Sequence, residues 1–318
     1  MGNLAPIILF TYNRLEHTKK VVESLAKNSL AKDSKLIIFC DNYKDNATFD
    51  EQQKVARVRE YVKQISHIFK GIFKAGVELN FRDKNLGLAD SIISGVTEVV
   101  NQYDKAIILE DDIVVSPVFL DYMNAGLVKY KDEPKVYSIS AWNYPIDTSN
   151  LDDCFFWRIP HCWGWAIWSD RWKLFKRDID WVLENFDKND IKYINLDGYA
   201  SFYSHFLLNV NGKIKTWAIF SYLISYKYRT LTLMPKLSYV KQIGFDGSGV
   251  HCGSEDIYNP PSINEKFPIN FPKYIEESSI ALSRIQNFHL SLKTPLKIKI
   301  KNKIIRLFKK CIGSKAKI

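Results

Sequence analysis

Short apolar runs alternate regularly with amphipathic stretches through the first 115 residues, and this alternation is compatible with only a few folds. Four runs have the length of buried strands, and three stretches between them carry apolar residues near helical spacing. Strands that alternate with helices of this length form a mainly parallel sheet with helices on both faces, so we expect an α/β fold. The predicted strands are Ala5 to Phe10, Lys35 to Cys40, Val77 to Phe81 and Ala106 to Leu109, and the predicted helices are Leu15 to Leu30, Glu51 to Ile68 and Ala89 to Val100.

A polar cluster follows each of the four predicted strands. Sheets of this kind bind ligands beyond the carboxyl ends of their strands, so these clusters are the candidates for a functional site. The clusters are Thr11 to Arg14, Asp41-Asn42, Arg82 to Gly87, and Glu110 to Asp112. The sequence contains neither GxGxxG nor GxxxxGK[ST], which disfavours Rossmann dehydrogenases and P-loop nucleoside triphosphatases.

The fourth cluster consists of three consecutive acids, Glu110, Asp111 and Asp112. Carboxylates held this close together repel one another, and the arrangement is costly unless a cation or hydroxyl donors complete it. The sequence therefore predicts a cation or hydroxyl site here, with a solvated acidic turn as the alternative.

The second half of the chain is rich in tryptophan, and all eight tryptophans lie between positions 142 and 217. Trp163 and Trp165 would share one face if their segment were extended, and indole faces pack well against sugar rings. Core packing is the alternative for most of the eight. A glycine-containing stretch from Gly244 to His251 follows and has the composition of a closing loop.

The net charge of +10 is confined to one end of the chain. Residues 293 to 318 carry nine lysines, one arginine and no acid, so residues 1 to 292 are formally neutral. Domains that bind nucleic acid usually carry a basic face on the folded body itself, so the body of this chain shows no evident nucleic-acid footprint. The tail interleaves lysine with leucine and isoleucine, which is typical of a segment on an anionic membrane surface. A disordered solubilising tail, or one that binds nucleic acid without sequence specificity, is the alternative.

No apolar run has the length of a membrane span, and residues 1 to 10 lack the basic start and long apolar core of a signal peptide. We therefore expect a cytoplasmic protein, peripheral on the inner face of the plasma membrane if the tail docks there.

Together these motifs resemble the GT-A glycosyltransferases, specifically bacterial family-2-like sugar transferases with a likeness to N-acetylglucosaminyltransferase I. The resemblance covers about residues 4 to 253 and rests on Phe10 to Arg14, Asn85 to Ala89, Leu109 to Asp112, Ser140 to Asn143, Trp163 to Trp165, and Gly247 to His251. It implies a nucleotide-sugar-binding half at 1–115 and an acceptor-binding half at 116–258 of one GT-A domain. A helical extension at 259–292 and a basic amphipathic tail at 293–318 would follow.

The resemblance also implies ligands and residue roles. The donor would be a nucleotide-sugar, most simply a UDP-sugar, and the acceptor a glycan or a lipid-linked glycan. Mn²⁺ or Mg²⁺, held by Asp112 and His251, would neutralise the leaving diphosphate, while Glu110 would face the donor sugar. The donor-binding residues would be Thr11, Tyr12, Arg14, Asp41, Arg82, Asn85, Gly87 and Asp111, and the acceptor-binding residues Trp142, Trp163 and Trp165.

The catalytic base departs from the family pattern. In many relatives an aspartate lies two positions before the residue that corresponds to Trp217, and here that position is Lys215. A lysine does not accept a proton at neutral pH unless its pKa is strongly lowered, so Asp197 and Asp246 are the substitute candidates.

Inversion at the anomeric carbon and a role in surface polysaccharide or lipo-oligosaccharide synthesis are family expectations. The departure at Lys215 leaves open a donor-binding pseudoenzyme or a scaffold of a glycan-assembly complex. A nucleotidyltransferase shares the sheet and the metal site, but it usually has a glycine-rich loop after its first strand, which is missing here.

Overall fold

The computed structural model describes residues 4–249 and 256–293. The strands in these residues are β1 (Ile7–Thr11), β2 (Leu36–Cys40), β3 (Val77–Phe81), β4 (Lys105–Glu110), β5 (Ile113–Val115), β6 (Val136–Ser140), β7 (Cys154–Trp157), β8 (Trp165–Trp168), β9 (Leu231–Pro235) and β10 (Val240–Gln242). The α-helices are α1 (Leu15–Ala26), α2 (Phe49–Ile68), α3 (Gly87–Tyr103), α4 (Phe119–Lys129), α5 (Ser169–Trp172), α6 (Ile179–Asn185), α7 (Lys188–Ile194), α8 (Phe202–Val210), α9 (Ala218–Lys227) and α10 (Ser279–Ser291).

Eight strands form one mixed sheet in the order β3-β2-β1-β4-β8-β6-β9-β7. The pairs among β3, β2, β1 and β4 are parallel, as is β6 with β9. Strand β8 runs antiparallel to both of its neighbours, and β7 runs antiparallel to β9. The sheet is therefore mainly parallel, with its parallel half built from the first 110 residues.

The sheet is buried on both faces, as the sequence of β1 illustrates. Ile7 and Leu9 belong to one apolar cluster, and Ile8 and Phe10 belong to the other. Because successive side chains of a strand point to opposite faces, a strand that is apolar throughout needs cover on both sides. Helices α1, α2 and α4 cover one face and α3 covers the other, which confirms the predicted α/β fold.

The seven elements predicted for the first half are all present, and their ends differ by a few residues. Helix α2 begins where its sequence provides a cap. The Thr48 side chain accepts the Glu51 N–H while the Glu51 carboxylate accepts the Thr48 N–H. This reciprocal pair satisfies two N–H groups that the first helical turn leaves without partners.

The predicted helical extension at 259–292 is helical only from Ser279. The preceding residues 259–278 form no helix, and they contain four prolines at 260, 261, 268 and 272. Proline lacks an N–H and restricts the residue before it, so a continuous helix is excluded there. None of the helices within residues 4–249 and 256–293 is long and apolar enough to cross a membrane.

A second, two-stranded sheet pairs β5 with β10. The pairing is antiparallel and places Gln242 opposite Ile113. Because Ile113 directly follows the three acids, this small sheet brings the end of β10 to the carboxyl end of β4.

Candidate functional site

The site is organised around the acids at the end of β4. Strands β1 and β4 are parallel neighbours with Phe10 opposite Glu110, so the turn after β1 lies beside the acids. Asp111 and Asp112 are 4% and 5% exposed, respectively. Two carboxylates are thus held out of water at the sheet edge where this fold binds ligands.

Arg14 is bonded to both aspartates. Its Nη2 donates to Asp111 Oδ1, and its Nη1 lies 2.9 Å from Asp112 Oδ2. Arg14 lies immediately before the first residue of α1, so the end of β1 and the start of the helix fix its backbone. The planar guanidinium bridges two carboxylates, which the point charge of a lysine does not do in the same geometry.

The electrostatics of the three acids are unequal. Burial, Asp112 and Asp111 raise the pKa of Glu110 to about 8. Burial also raises the pKa of Asp111, and the charge of Arg14 opposes that rise. The cluster therefore carries less negative charge at neutral pH than three exposed carboxylates would.

The donor set suits a hard divalent cation. Asp111 Oδ2 is buried and has no hydrogen-bond partner among the residues that the structure describes. Carboxylate oxygens are the ligands that Mg²⁺ and Mn²⁺ prefer, so the acidic pair fits such an ion. No group of three or more His, Cys, Asp or Glu side chains within 4–249 and 256–293 is arranged to hold a metal. These residues would thus supply only part of a coordination shell. His251, the other predicted ligand, lies outside the described residues.

Two segments that the sequence analysis did not connect to the acids complete the site: Gln242 to Gly244 at the end of β10, and His17 on α1. Gln242 Nε2 donates to Asp112 Oδ2 at 3.1 Å, and the Ile243 N–H donates to the Asp112 carbonyl at 2.8 Å. Gly244 packs directly against Asp112, and an added Cβ would lie 2.5 Å from Asp112 Oδ2. His17, one turn along α1 from Arg14, lies with Nε2 3.2 Å from the Ile243 carbonyl. Its spacing of three from Arg14 on one helix was the only signal in the sequence.

Asp41, Asn85 and Gly87 form a single unit at the start of α3. Asp41 accepts the Leu86 N–H at 2.9 Å, the Gly87 N–H at 3.0 Å and the Asn85 amide at 3.1 Å. Gly87 has φ +73°, a conformation that glycine adopts without strain. The carboxylate of Asp41 thus caps a helix, and its oxygens are occupied where the family resemblance implies a free ribose ligand.

The other residues predicted to bind the nucleotide-sugar donor lie at the same edge of the sheet. Thr11 Oγ1 lies 3.1 Å from Cys40 Sγ, and burial together with the charge of Asp41 raises the pKa of Tyr12. Arg82 lies over the Phe39 ring at 4.8 Å. The structure brings Thr11, Tyr12, Arg82 and the Asp41 unit to the ends of β1, β2 and β3, and it places Arg14 on the acids.

The candidate bases lie in different places. Asp246 belongs to the loop that begins at Gly244, and its Oδ2 lies 3.2 Å from His17 Nε2. Asp197 accepts from Gln286 Nε2 at 2.9 Å and lies 3.4 Å from Arg158 Nη1, a group of contacts that includes none of the three acids. Lys215 forms an ion pair with Asp90 in the first turn of α3. Of the two substitutes, Asp246 is therefore the one that contacts the site.

Two of the three tryptophans predicted to bind acceptor are core residues. Trp142 is 1% exposed and Trp165 is 3% exposed, and this burial contradicts the expectation that their ring faces contact a sugar. The prediction that Trp163 and Trp165 share one face is also wrong, because Gly164 between them has φ +67° and interrupts the extended segment. Trp165 stacks on Trp217, whereas half-buried Trp163 lies edge-on to Phe245.

Two histidines, His161 and His289, lie in an aromatic cluster with Trp142 and Tyr144. His161 is in ring contact with Trp142 at 4.6 Å and with Tyr144 at 5.1 Å. Burial lowers the pKa of His161 to about 3 and that of His289 to about 4. A histidine in the unfolded chain has a pKa of about 6.5 and begins to bind a proton near that pH, where both imidazoles of the folded protein are still neutral.

Replacing His161 should make the protein less sensitive to acid. The unfolded chain binds a proton at this position below about pH 6.5 while the folded chain does not, so the contribution of the neutral ring is complete above that pH and is lost below it. Between about pH 7.5 and about pH 5, the free energy of unfolding of the wild type should fall by about 2 kcal/mol more than that of His161→Gln. Urea unfolding at the two pH values measures the difference.

The control is His205→Gln at an exposed position of α8, which should behave as the wild type does. An equal pH dependence in all three proteins would show that His161 binds a proton in the folded protein as readily as in the unfolded chain.

Comparison with known proteins gives one family match. The family model described as the GNT-I family matches residues 1–188, which is more than half of the chain. The matched residues include β1 to β4, the acidic triplet and Trp163 to Trp165. The match confirms the resemblance stated from the motifs. None of the curated proteins matches the sequence.

Several solved structures are similar to this chain at low sequence identity. TarS of S. aureus is 15% identical with a TM-score of 0.28, covering 43% of this chain and 21% of TarS. GlyE of Streptococcus pneumoniae TIGR4, a glycosyltransferase, is 15% identical with a TM-score of 0.32, covering 74% of this chain and 55% of GlyE. A UDP-glucose pyrophosphorylase is 11% identical with a TM-score of 0.38, covering 75% and 92%. This chain thus spans about a fifth of TarS and about half of GlyE.

Proposed function

The chain belongs to the GNT-I family, a family of glycosyltransferases, and from this premise we propose that it transfers a sugar from a nucleotide-sugar to an acceptor hydroxyl. The observation that carries the proposal is the pair of buried aspartates at the end of β4, beside the turn that follows β1. A diphosphate leaving group needs positive charge near it, and this edge is where the chain concentrates groups that can hold a cation.

Asp112 and Asp111 would hold Mn²⁺ or Mg²⁺, with any further ligand from the chain outside the described residues. When bound, the ion acts as a Lewis acid that stabilises the charge developing on the departing nucleotide. Gln242 fixes one oxygen of Asp112, which orients the carboxylate before any ligand arrives. Glu110 would face the donor sugar, and Tyr12 with the unit around Asp41 would border the nucleoside.

Asp246 is our candidate for the base that takes the proton from the acceptor hydroxyl. The hydroxyl and N–H of Ser248 donate to its carboxylate and lower its pKa, so the group is ionised at neutral pH. Asp246 lies two residues after Gly244, which packs against Asp112, and its carboxylate contacts His17. Lys215 is paired with Asp90 and does not serve in this role. With Asp246 as the base we propose inversion, in which the acceptor hydroxyl would attack the anomeric carbon from the side opposite the nucleotide.

We place the acceptor against Trp163. This half-buried ring borders Phe245 at 5.8 Å and Tyr258 at 5.9 Å, and Phe245 directly follows Gly244. Aromatic faces and edges of this kind pack against sugar rings. We propose a glycan or lipid-linked acceptor in surface polysaccharide or lipo-oligosaccharide synthesis. The basic residues from 293 onward would keep a cytoplasmic enzyme at an anionic membrane; all but Lys293 lie outside the described residues.

A panel of nucleotide-sugars tests the proposal. The protein is incubated with UDP-sugars and other nucleotide-sugars plus Mn²⁺, and release of the nucleotide is measured with and without EDTA. We expect release from one UDP-sugar that EDTA abolishes, because the leaving diphosphate loses its counter-charge.

The alternatives give different products in the same assay. Pyrophosphate formed from a nucleoside triphosphate and a sugar 1-phosphate would identify a nucleotidyltransferase. Tight nucleotide binding without release from any donor would identify a donor-binding protein without catalysis.

A further inference from the structure

We propose that Arg14 is the resident counter-cation of the acidic pair and that a divalent cation enters the site by displacing its side chain. This inference rests on the proposed function, since it concerns the same two aspartates. It goes further by giving Arg14 a role in ion exchange in place of the base or ribose contact that the resemblance implies. The observation behind it is that one guanidinium contacts both carboxylates.

The guanidinium and a metal ion would bind the same two carboxylates. Arg14 Nη1 lies 2.9 Å from Asp112 Oδ2, and Nη2 donates to Asp111 Oδ1. A divalent ion of this class binds carboxylate oxygen at about 2.0–2.2 Å, so an ion held by both aspartates would lie close to the guanidinium that contacts them both. Two cations that share buried carboxylates also repel each other strongly, because little water screens them. Arg14 and the ion therefore compete for the pair.

The side chain of Arg14 is able to leave while its backbone stays. Both the N–H and the hydroxyl of Thr18 donate to the Arg14 carbonyl, at 3.0 and 2.9 Å, and hold it at the start of α1. The Arg14 side chain is 18% exposed, so a path to solvent exists beside the acids. Among the described residues, its ion pairs are only those with Asp111 and Asp112. Displacement thus requires a change of side-chain rotamer and no movement of the sheet.

A nucleoside diphosphate is the ligand that would take the released guanidinium. Arginine presents a planar fork of donors that matches phosphate oxygens, and these charge-assisted bonds are among the strong ones. The ion would bind the acids and the diphosphate, and Arg14 would exchange two carboxylates for phosphate oxygens. Since linkage is reciprocal, UDP should raise the affinity for Mn²⁺ and Mn²⁺ should raise the affinity for UDP.

The test measures Mn²⁺ binding directly, by the loss of the free-ion electron paramagnetic resonance signal, with the full chain and in the presence or absence of UDP. Without UDP, Arg14→Gln should bind Mn²⁺ about 10-fold more tightly than the wild type, because no cation has to leave. The increase in Mn²⁺ affinity caused by UDP should be smaller in Arg14→Gln than in the wild type. Arg14→Lys keeps the charge without the fork, so its affinity should lie between the two.

Equal or weaker Mn²⁺ binding by Arg14→Gln would overturn the exchange and leave the transfer of sugar untouched. If Arg14→Gln does not fold, as judged by its melting temperature, Arg14→Lys decides: binding no tighter than that of the wild type overturns the exchange. Absence of Mn²⁺ binding in every protein, with and without UDP, would overturn both the exchange and the metal dependence proposed for the enzyme.

Discussion

Asp112→Asn should lower the rate of nucleotide release from the nucleotide-sugar by about 1,000-fold, which corresponds to about 4 kcal/mol of lost transition-state stabilisation. The substitution removes one negative charge. In the wild type, Arg14 Nη1 and Gln242 Nε2 lie 2.9 and 3.1 Å from Asp112 Oδ2, and the amide oxygen of asparagine can still accept from both. The variant should therefore fold, but it should no longer bind a divalent ion tightly. Single-turnover nucleotide release under saturating Mn²⁺ measures the effect.

The matched control for this substitution is Asp121→Asn on α4. Asp121 accepts a hydrogen bond from Ser29 Oγ at 3.0 Å, and its contacts include none of the three acids. It loses the same charge and should keep the wild-type rate to within about threefold. A release rate in Asp112→Asn above about one tenth of the wild type would contradict the assignment of Asp112 as a ligand of a catalytic ion.

The sequence predicted the parallel half of the fold because the signal there is local. In β1 and β4, apolar residues fill every position of a short run, and the helices between strands show their own period. The acids at 110–112 were found for the same reason, since the end of a parallel strand can be located from the strand alone. Both predictions, of the parallel strands and of the acidic site, depend only on residues that are close together in the sequence.

Contacts between distant segments could not be predicted in this way. Gln242 and Gly244 reach Asp112 because β10 pairs with β5, and neither residue type nor spacing indicates that pairing. The sequence placed Arg14 and the aspartates at one edge of the sheet, but it did not indicate that one guanidinium would bridge both carboxylates.

The tryptophans show a different limit. An extended segment was assumed around Trp163 and Trp165, and a single left-handed residue, Gly164, turns one ring away from the other. Burial then separates a binding residue from a core residue, and burial depends on what the rest of the chain packs there. Trp165 meets Trp217 from a segment some fifty positions away, which local patterns do not show.

Gly244→Ala should lower the rate of nucleotide release about 100-fold although it removes no functional group. The new methyl carbon would lie 2.5 Å from Asp112 Oδ2 and 3.0 Å from both Arg14 Nη1 and Gln242 Nε2. Carbon and carboxylate oxygen do not approach so closely, so Asp112 must shift or the loop must lift from the acids. Either movement displaces the site by a distance that costs a preorganised active site much of its rate. The rate and the Mn²⁺ affinity are measured in parallel.

Gly247→Ala in the same loop separates crowding from a general effect on the loop. An added Cβ there meets nothing within 4 Å, although the backbone has φ +83° and an alanine is strained by about 1 kcal/mol. Its melting temperature should fall while its release rate stays within about threefold of the wild type. Gly244→Ala should show the reverse, a large loss of rate for a small loss of stability. Equal losses of rate in the two variants would mean that loop flexibility limits the reaction, and a wild-type rate in Gly244→Ala would mean that the loop does not lie over Asp112 during turnover.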